Sequence, residues 1–584
     1  MEVKRDHGAA QARKKKLLWL GAAILAVLIA VAVTLGVLAS QGVLQGSSSA
    51  PVSSSTAADE SANASPNGAT DDSSDVDAVA SGITASTTKS RTASATTTSS
   101  TASSTPTEPA CPSKDDIPRS ARGSITDTSS WLDLTDFNCT FTDETVGDLP
   151  LVGLNATWDD SARANPNVPA LDKPWGSYAE KPFRGVNVGG WLALEPFITP
   201  SLFKSPAGLF AEWDLTKQLG TKAAAVLENH YKTFITEKDF KEIADAGLDH
   251  VRIPFSYWAV ETFEGDPYVP GVSWRYLLRG IEWARKYGLR VKLDLHGLPG
   301  SQNGWNHSGR IGKIDFIDGP NGPQNAERAL KIHDRLSKFF AQDRYKNVVA
   351  FYGLANEPAL ALDQVKLEAW HRKATDIVIK NGAHGAPVFS EGMQGLAHWA
   401  GKYPEYKANN LVVDVHQYTI FDPNLLSLKP TERIEFGCKN FMNQNVESMA
   451  NYGPTMVGEW SQAHNDCTEH LNGLGNGARW TANFPGITTP ACPTQNDQCS
   501  CDYSNDESQY SDKYKLFILT WAIAQMDAYE KGWGWFYWTW KTETAPLWSY
   551  KHGLDGGFMP KKAYDRGWDC SQPIPDLSDV PSYI

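Results

Sequence analysis

Eight short apolar runs alternate with helical stretches over residues 181–584, which predicts an α/β protein built as a (β/α)8, or TIM, barrel. Several of these runs stop on a polar or charged residue, as buried parallel strands do where they reach a working surface. The clearest is Phe351-Tyr-Gly-Leu-Ala-Asn356-Glu357-Pro358, in which the proline cannot continue a ladder and the chain must turn. About a hundred residues on, Thr455-Met-Val-Gly-Glu459-Trp460 ends the same way.

The strands read in order as Gly185–Val188, His250–Pro254, Leu289–His296, Val348–Leu354, Pro387–Phe389, Leu411–His416, Thr455–Val457 and Gly534–Trp540. Between them, Thr236-Glu-Lys-Asp239 has the form of a capping box opening a helix through Ala246. Further helices are expected near Trp274–Tyr287, Ala326–Phe340, Leu367–Lys380 and Tyr514–Tyr529. In a barrel of this kind the active site lies at the carboxyl ends of the strands.

Ahead of the barrel the composition changes three times. Residues 1–16 are polar and basic, a cytoplasmic tail. Residues 17–39 are uncharged and apolar, long enough as a helix to cross a bilayer. Lys and Arg cluster on the N-terminal side and none follows until Lys89, which orients the rest of the chain outward. The expectation is a single-pass type II protein of the cell membrane, held by a signal-anchor in the lipid bilayer. Val37-Leu-Ala39 before Ser40 offers a cleavage site, the alternative arrangement. Residues 40–110 are Ser, Thr, Ala, Asp and Pro, a disordered stalk with too little apolar surface for a core. Residues 111–180 form an extension expected to pack on the barrel. Sequons stand at Asn63, Asn138, Asn155 and Asn306.

The 584 residues carry a net charge of −13, from 54 Lys+Arg against 67 Asp+Glu, which argues against a nucleic-acid partner. With 21 Trp, 20 Tyr and 22 Phe, the chain has flat rings to spare for stacking on sugar faces. The eight cysteines show no paired metal-ribbon spacing. An even count beyond an export segment reads as disulfides, and Cys111 with Cys139 is one candidate pair.

Two glutamates at strand ends, far apart in sequence, suggest glycoside hydrolysis. A retaining enzyme holds two carboxyl groups about 5 Å apart, one as proton donor and one as nucleophile. Asn356 suits the sugar 2-hydroxyl. His416 and Tyr418 can enter the same pocket and tune a glutamate. Arg252 would keep the nucleophile ionised. His296 offers a donor and Trp540 a stacking floor. Two carboxylates and a water complete such a cycle, so no cofactor or metal is expected.

The region from about Phe183 to Trp568 resembles fungal exo-β-1,3-glucanases of glycoside hydrolase family 5. The matching segments include Arg184-Gly-Val-Asn-Val-Gly-Gly-Trp-Leu-Ala-Leu-Glu195, Val251-Arg252-Ile-Pro, His296-Gly-Leu-Pro-Gly-Ser-Gln-Asn-Gly304, Leu354-Ala-Asn356-Glu357-Pro, His416-Gln-Tyr418, Val457-Gly-Glu459-Trp460-Ser and Trp538-Thr-Trp540-Lys-Thr-Glu. The resemblance implies Glu357 as acid/base, Glu459 as nucleophile and Glu195 as ligand of the terminal glucose hydroxyls, in a pocket closed for exo action on β-glucan. It implies that Trp305 and Phe421 grip the second glucose. An acidic residue and an arginine usual in the relatives are Asn306 and Asn476 here, while Arg479 is kept, so the substrate preference is open. A glycan on Asn306 would stand at the pocket mouth, and that sequon is expected to be unused. The resemblance also implies disulfides Cys438–Cys570 and Cys467 with one of Cys492, Cys499 or Cys501. The stalk and anchor match the membrane-bound members. A monomer is expected. The alternatives are a β-glucosidase of other specificity, on β-1,6-glucan, small glucosides or glucolipids, and a non-catalytic wall-binding protein.

Overall fold

The computed structural model describes residues 117–581, apart from 123, 125, 128–141, 153, 155–156, 206–207 and 474. The expected anchor helix, the stalk, Cys111, Cys139 and the sequons at Asn63, Asn138 and Asn155 lie outside the described residues. Among the described residues no helix is long and apolar enough to cross a membrane.

Eight parallel strands close into a barrel in chain order. They are β1 (Phe183–Asn187), β2 (His250–Ser256), β3 (Arg290–Gly297), β4 (Val349–Gly353), β5 (Ala386–Ser390), β6 (Val412–His416), β7 (Thr455–Trp460) and β8 (Gly534–Tyr537). β8 pairs with both β7 and β1, so no edge is left open. The helices before β2 are α1 (Glu212–Leu219), α2 (Ala223–Thr233) and α3 (Glu237–Asp245). The Thr236/Asp239 capping box is formed as its sequence implies. Four long helices follow: α4 (Val272–Lys286), α5 (Gly322–Phe339), α6 (Gln364–Lys380) and, last before β8, α10 (Asp512–Tyr529), with α7 to α9 (Pro423–Leu426, Pro430–Phe436, Met442–Asn451) between β6 and β7. The link from β5 to β6 holds only short 3-10 turns, because Gly392, Gly395, Gly401 and Pro404 break any helical period there.

Strand periodicity decides what fills the barrel. In β3, Val291, Leu293 and Leu295 alternate with Arg290, Lys292, Asp294 and His296. The charged set faces inward, since Lys292 Nζ reaches Asp414 Oδ2 of β6 at 2.5 Å across the barrel. The upper barrel is therefore polar. Its floor is apolar, built from Phe183, Phe351, Val388, Val412, Met456 and Phe536.

The segment before β1 closes that floor. Trp175 and Tyr178 pack beneath it, with the Tyr178 ring 5.0 Å from Phe351 and 5.3 Å from Trp533. Tyr178 Oη lies 3.0 Å from His250 Nε2, and His250 Nδ1 lies 2.7 Å from Asp249 Oδ1, so the plug is pinned by polar bonds as well. Higher up, Pro150 O accepts from Trp274 Nε1 at 3.1 Å.

The disulfides Cys438–Cys570, Cys467–Cys501 and Cys492–Cys499 are present. The first is the one the resemblance implies, and Cys501 is the partner of Cys467. All three lie in or beside the connections that follow β6 and β7.

Trp175→Ala should cost about 3–5 kcal/mol, the usual range for emptying a buried aromatic site. Urea unfolding would read that loss, and activity per folded molecule should stay unchanged because the plug is at the opposite end from the strand tips.

Candidate active site

Glu357 does not sit on the strand tip itself. β4 ends at Gly353, and three more residues precede Glu357, which takes a left-handed φ of 43° ahead of Pro358. Few residues adopt that conformation unless their surroundings enforce it. Here Gln302 Nε2 donates to Asn356 O at 2.8 Å, and Asn303 Nδ2 donates to Glu357 O at 3.1 Å. The backbone is clamped by the loop after β3.

Glu459 is aimed by a different device. Val457 pairs with Val415, and Glu459 pairs with His416, so Gly458 is an extra residue in β7, a bulge. A Cβ on Gly458 would stand 2.1 Å from Asp414 Oδ1, so only glycine fits. The bulge turns Glu459 inward toward Glu357.

Arg252 of β2 is 1 % exposed and has four partners. Its Nη1 donates to Glu459 Oε1 at 2.6 Å and to Asn187 Oδ1 at 2.8 Å. Its Nη2 donates to Asn356 Oδ1 at 2.6 Å and pairs with Asp294 Oδ2 at 3.0 Å. Tyr418 Oη donates to Glu459 Oε2 at 3.0 Å. His416 Nδ1 donates to Glu357 Oε1 at 2.6 Å and lies 3.5 Å from Glu459 Oε2. One ligand-type atom each from Glu357, His416 and Glu459 falls within 4.8 Å of the others. Such a trio could suit a cation, but the His416 nitrogen turned to the carboxylates is the one that carries the proton, and a metal ligand must be deprotonated.

The charge state follows from these contacts. Burial lowers the proton affinity of His416, but Glu459 and Glu357 outweigh it and raise the imidazole to about 10. Burial raises Glu357, but the His416 cation outweighs it and holds the carboxyl at about 2. Burial raises Glu459 above the ordinary carboxylate range on balance, against the pull of His416 and Arg252 toward the ionised form. At rest the Glu357–His416 pair thus holds one proton, on His416.

Glu195 is buried, and its Oε1 has no hydrogen-bond partner among the described residues. Burial, then Glu459 and Glu357, push its carboxyl well above the ordinary range. A buried acceptor left open beside two carboxylates is suited to a hydroxylated ligand. Trp305 and Phe421 are 44 % and 47 % exposed, the most open aromatic rings on the segments carrying the site. Arg479 supports Phe421 from behind, 5.8 Å from its ring, while Nη1 holds Asp466 at 3.1 Å and Asn472 at 2.8 Å. Asn306 is half-buried in the turn after Trp305, and Asn476 donates to Asn472 O at 2.8 Å.

Two sequence expectations are corrected. Trp540 is fully buried with its Nε1 on Asp239 Oδ1 at 2.9 Å, so it is no stacking floor. The ring in that place is Trp538, which stacks on His296 at 5.6 Å and 9° and lies under the Arg252 guanidinium at 5.8 Å. β8 ends at Tyr537, so the inward alternation does not continue to Trp540. His296 is no free donor either. Its Nδ1 is spent on Asp294 Oδ2 at 2.8 Å, leaving Nε2 as an acceptor 3.5 Å from Asn356 Nδ2. His307 was missed altogether. Its Nε2 faces Glu357 Oε2 at 3.3 Å.

One buried acid lies just behind the Glu195 segment. Glu212 of α1 accepts from Leu194 N at 3.3 Å, and burial raises it from 4.5 to about 8. Between those values the folded chain binds more protons than the unfolded one, so stability falls as pH rises across that window. Glu212→Gln should flatten this slope, which is at most about 1.4 kcal/mol per pH unit. Urea unfolding at several pH values between the two limits would measure it.

Residues 216–480 match the family description "Cellulase (glycosyl hydrolase family 5)". The chain is 53% identical over 481 residues to the probable glucan 1,3-beta-glucosidase D of Aspergillus clavatus, covering 81% of this chain and 58% of that protein. It is 51% identical over 477 residues to the glucan 1,3-beta-glucosidase D of Emericella nidulans, covering 80% and 57%. The chain thus spans less than three fifths of the length of these relatives. Among solved structures, the rutinosidase from Aspergillus niger is similar at 21% identity and a TM-score of 0.49, over 65% of this chain and 97% of that one.

Proposed function

We propose that the chain is a retaining, exo-acting glucan 1,3-β-glucosidase that removes glucose from the non-reducing ends of cell-wall β-1,3-glucan by double displacement. The observation that carries this reading is the facing of Glu357 and Glu459 across His416, with one carboxylate oxygen of each within 4.8 Å of the other. That closeness suits the carboxyl spacing of about 5–5.5 Å in retaining enzymes rather than the wider spacing of inverting ones.

Glu459 is the nucleophile. Arg252 and Tyr418 donate to its two oxygens, which favours the ionised form and aims a lone pair at the anomeric carbon. Glu357 is the acid/base. The proton it needs rests on His416, 2.6 Å away. As Glu459 attacks, its charge is consumed in the new C–O bond. The Glu459 charge is one of the supports of the His416 cation, so the imidazole loses proton affinity at that moment. The proton passes through Glu357 to the leaving oxygen as the glycosidic bond breaks. In the second step the Glu357 carboxylate takes a proton from water and returns it to His416, and the water oxygen displaces Glu459 from the anomeric carbon. Asn356, oriented by Arg252, serves the sugar 2-hydroxyl, and Glu195 takes hydroxyls of the terminal glucose. Trp305 and Phe421 hold the second glucose at the mouth. The neutral pair Asn306 and Asn476 favours a second reading, a related β-glucosidase with another linkage preference.

The apolar run at 17–39 behind a basic tail supports a tether in the cell membrane with the barrel facing the wall. Alkaline carbonate washing should leave the chain with membranes, and release into the wash would contradict the tether.

Laminarin, a β-1,6-glucan and cellulose should be tested side by side. Glucose as the sole early product from laminarin supports exo action, and oligosaccharides appearing first would contradict it. Proton NMR should show β-glucose before mutarotation. Glu459→Ala should lose turnover and keep binding. Glu357→Ala should lose about 10²–10⁴-fold on glucan, the scale of a general acid.

A further inference from the structure

Each oxygen of Glu357 faces an imidazole. His416 holds Oε1 at 2.6 Å, and His307 faces Oε2 at 3.3 Å. A general acid must present one oxygen to the leaving group, so one imidazole has to give way. The two are not equivalent. The His416 side chain is 3% exposed at the end of β6, whereas that of His307 is 16% exposed in the turn Asn306–Ser308. The His307 contact is also the longer one.

The protonation of His307 is fixed by its surroundings. Burial lowers it to about 4 against the pull of Glu357, so the ring is neutral near neutral pH and has one N–H. That hydrogen belongs on Nε2, toward Glu357, because Nδ1 lies 3.5 Å from the donor Nδ2 of Asn356. Asn356 is in turn bonded through Oδ1 to Arg252, and Arg252 to Glu459. His307 therefore closes a ring of contacts that joins the two glutamates. The groups around it are Glu357, Asn356, His296 at 5.4 Å and Trp305 at 5.5 Å between ring centres, with Glu459 and His416 next nearest in charge.

Trp305 ties this ring to the open side of the site. A sugar stacked on that indole comes against the neighbouring imidazole. We propose that His307 is a positioning residue that senses the leaving saccharide and arms Glu357 in response. This inference rests on the glycosidase reading above. With the mouth empty, His307 stands over Oε2 and helps keep the proton affinity of Glu357 low. When a saccharide stacks on Trp305, His307 turns its N–H to a sugar hydroxyl and vacates Oε2. Glu357 then gains proton affinity and faces the glycosidic oxygen. The result is a preference for leaving groups that are themselves sugars over small aglycones that cannot reach His307.

The test compares laminaribiose with 2,4-dinitrophenyl β-glucoside, whose leaving group needs no proton. His307→Ala removes the contact to the leaving sugar and should lower kcat/KM for laminaribiose by about 3–10-fold, the scale of one lost hydrogen bond, while changing that for the aryl glucoside by less than about 2-fold. The alkaline limb of the laminaribiose profile should move to higher pH, since the Glu357–His416 pair loses a neighbour that lowers the proton affinity of Glu357. His307→Gln keeps an N–H donor and should recover part of the loss, and it gives the same comparison should the alanine variant fold poorly. A loss confined to laminaribiose supports the proposal. Equal losses on both substrates, or no loss on either, would overturn it. A wild-type enzyme inactive on both substrates would instead remove the glycosidase reading, and this inference with it.

Discussion

The structure depends on one buried guanidinium. Arg252 is 1 % exposed inside the barrel and bonds Asn187 of β1, Asp294 of β3, Asn356 beyond β4 and Glu459 of β7. A charge in that position is tolerable only with partners of opposite sign; its terminal nitrogens find them, while Nε has no hydrogen-bond partner among the described residues. The partners come from strands far apart in the sequence, so the ion can be satisfied only when the barrel is closed. The same contacts then set the site. They orient the amide of Asn356, favour an ionised Glu459 and fix the distance from there to Glu357. Burying the ion without its carboxylates would be worse than having neither.

The surrounding charges extend this arrangement. Lys292 balances Asp414, Asp294 is shared between Arg252 and His296, and His416 lies between Glu357 and Glu459. With Arg252, Lys292 and His416 charged, three cations meet the four carboxylates Asp294, Asp414, Glu357 and Glu459. One negative charge is left over before Glu195 is considered. Under the proposed reaction that excess faces the positive charge that grows on the sugar ring. The bulge at Gly458 and the left-handed turn at Glu357 are the local distortions by which the strands deliver the two carboxylates to this lattice.

Much of this was legible in the sequence, for a physical reason. Buried parallel strands are apolar runs, and a run that stops on Asn-Glu-Pro or Gly-Glu-Trp announces a polar strand end. What was missed came from signals of another kind. The alternation Arg290, Lys292, Asp294, His296 marks one inward face of β3, but the apolar set between them hides it in a search for hydrophobic runs. The apolar run places the end of the last strand at Trp540, three residues beyond where β8 stops at Tyr537, and where a strand stops decides which ring faces the barrel. His307 was read as the middle of a sequon. Its role depends on a loop from β3 passing over the end of β4, which no local pattern records.

The central claim is that Glu459, gripped by Arg252 and Tyr418, is the atom that bonds to the sugar. Incubation with a 2-deoxy-2-fluoro-β-glucoside bearing a good leaving group slows the second step more than the first and should trap the intermediate. Peptide mass spectrometry should then find one fluoroglucosyl group on the peptide containing Glu459, and Arg252→Met should slow the labelling. A label on Glu357, or full turnover of natural substrate by an enzyme that never labels, would contradict the account.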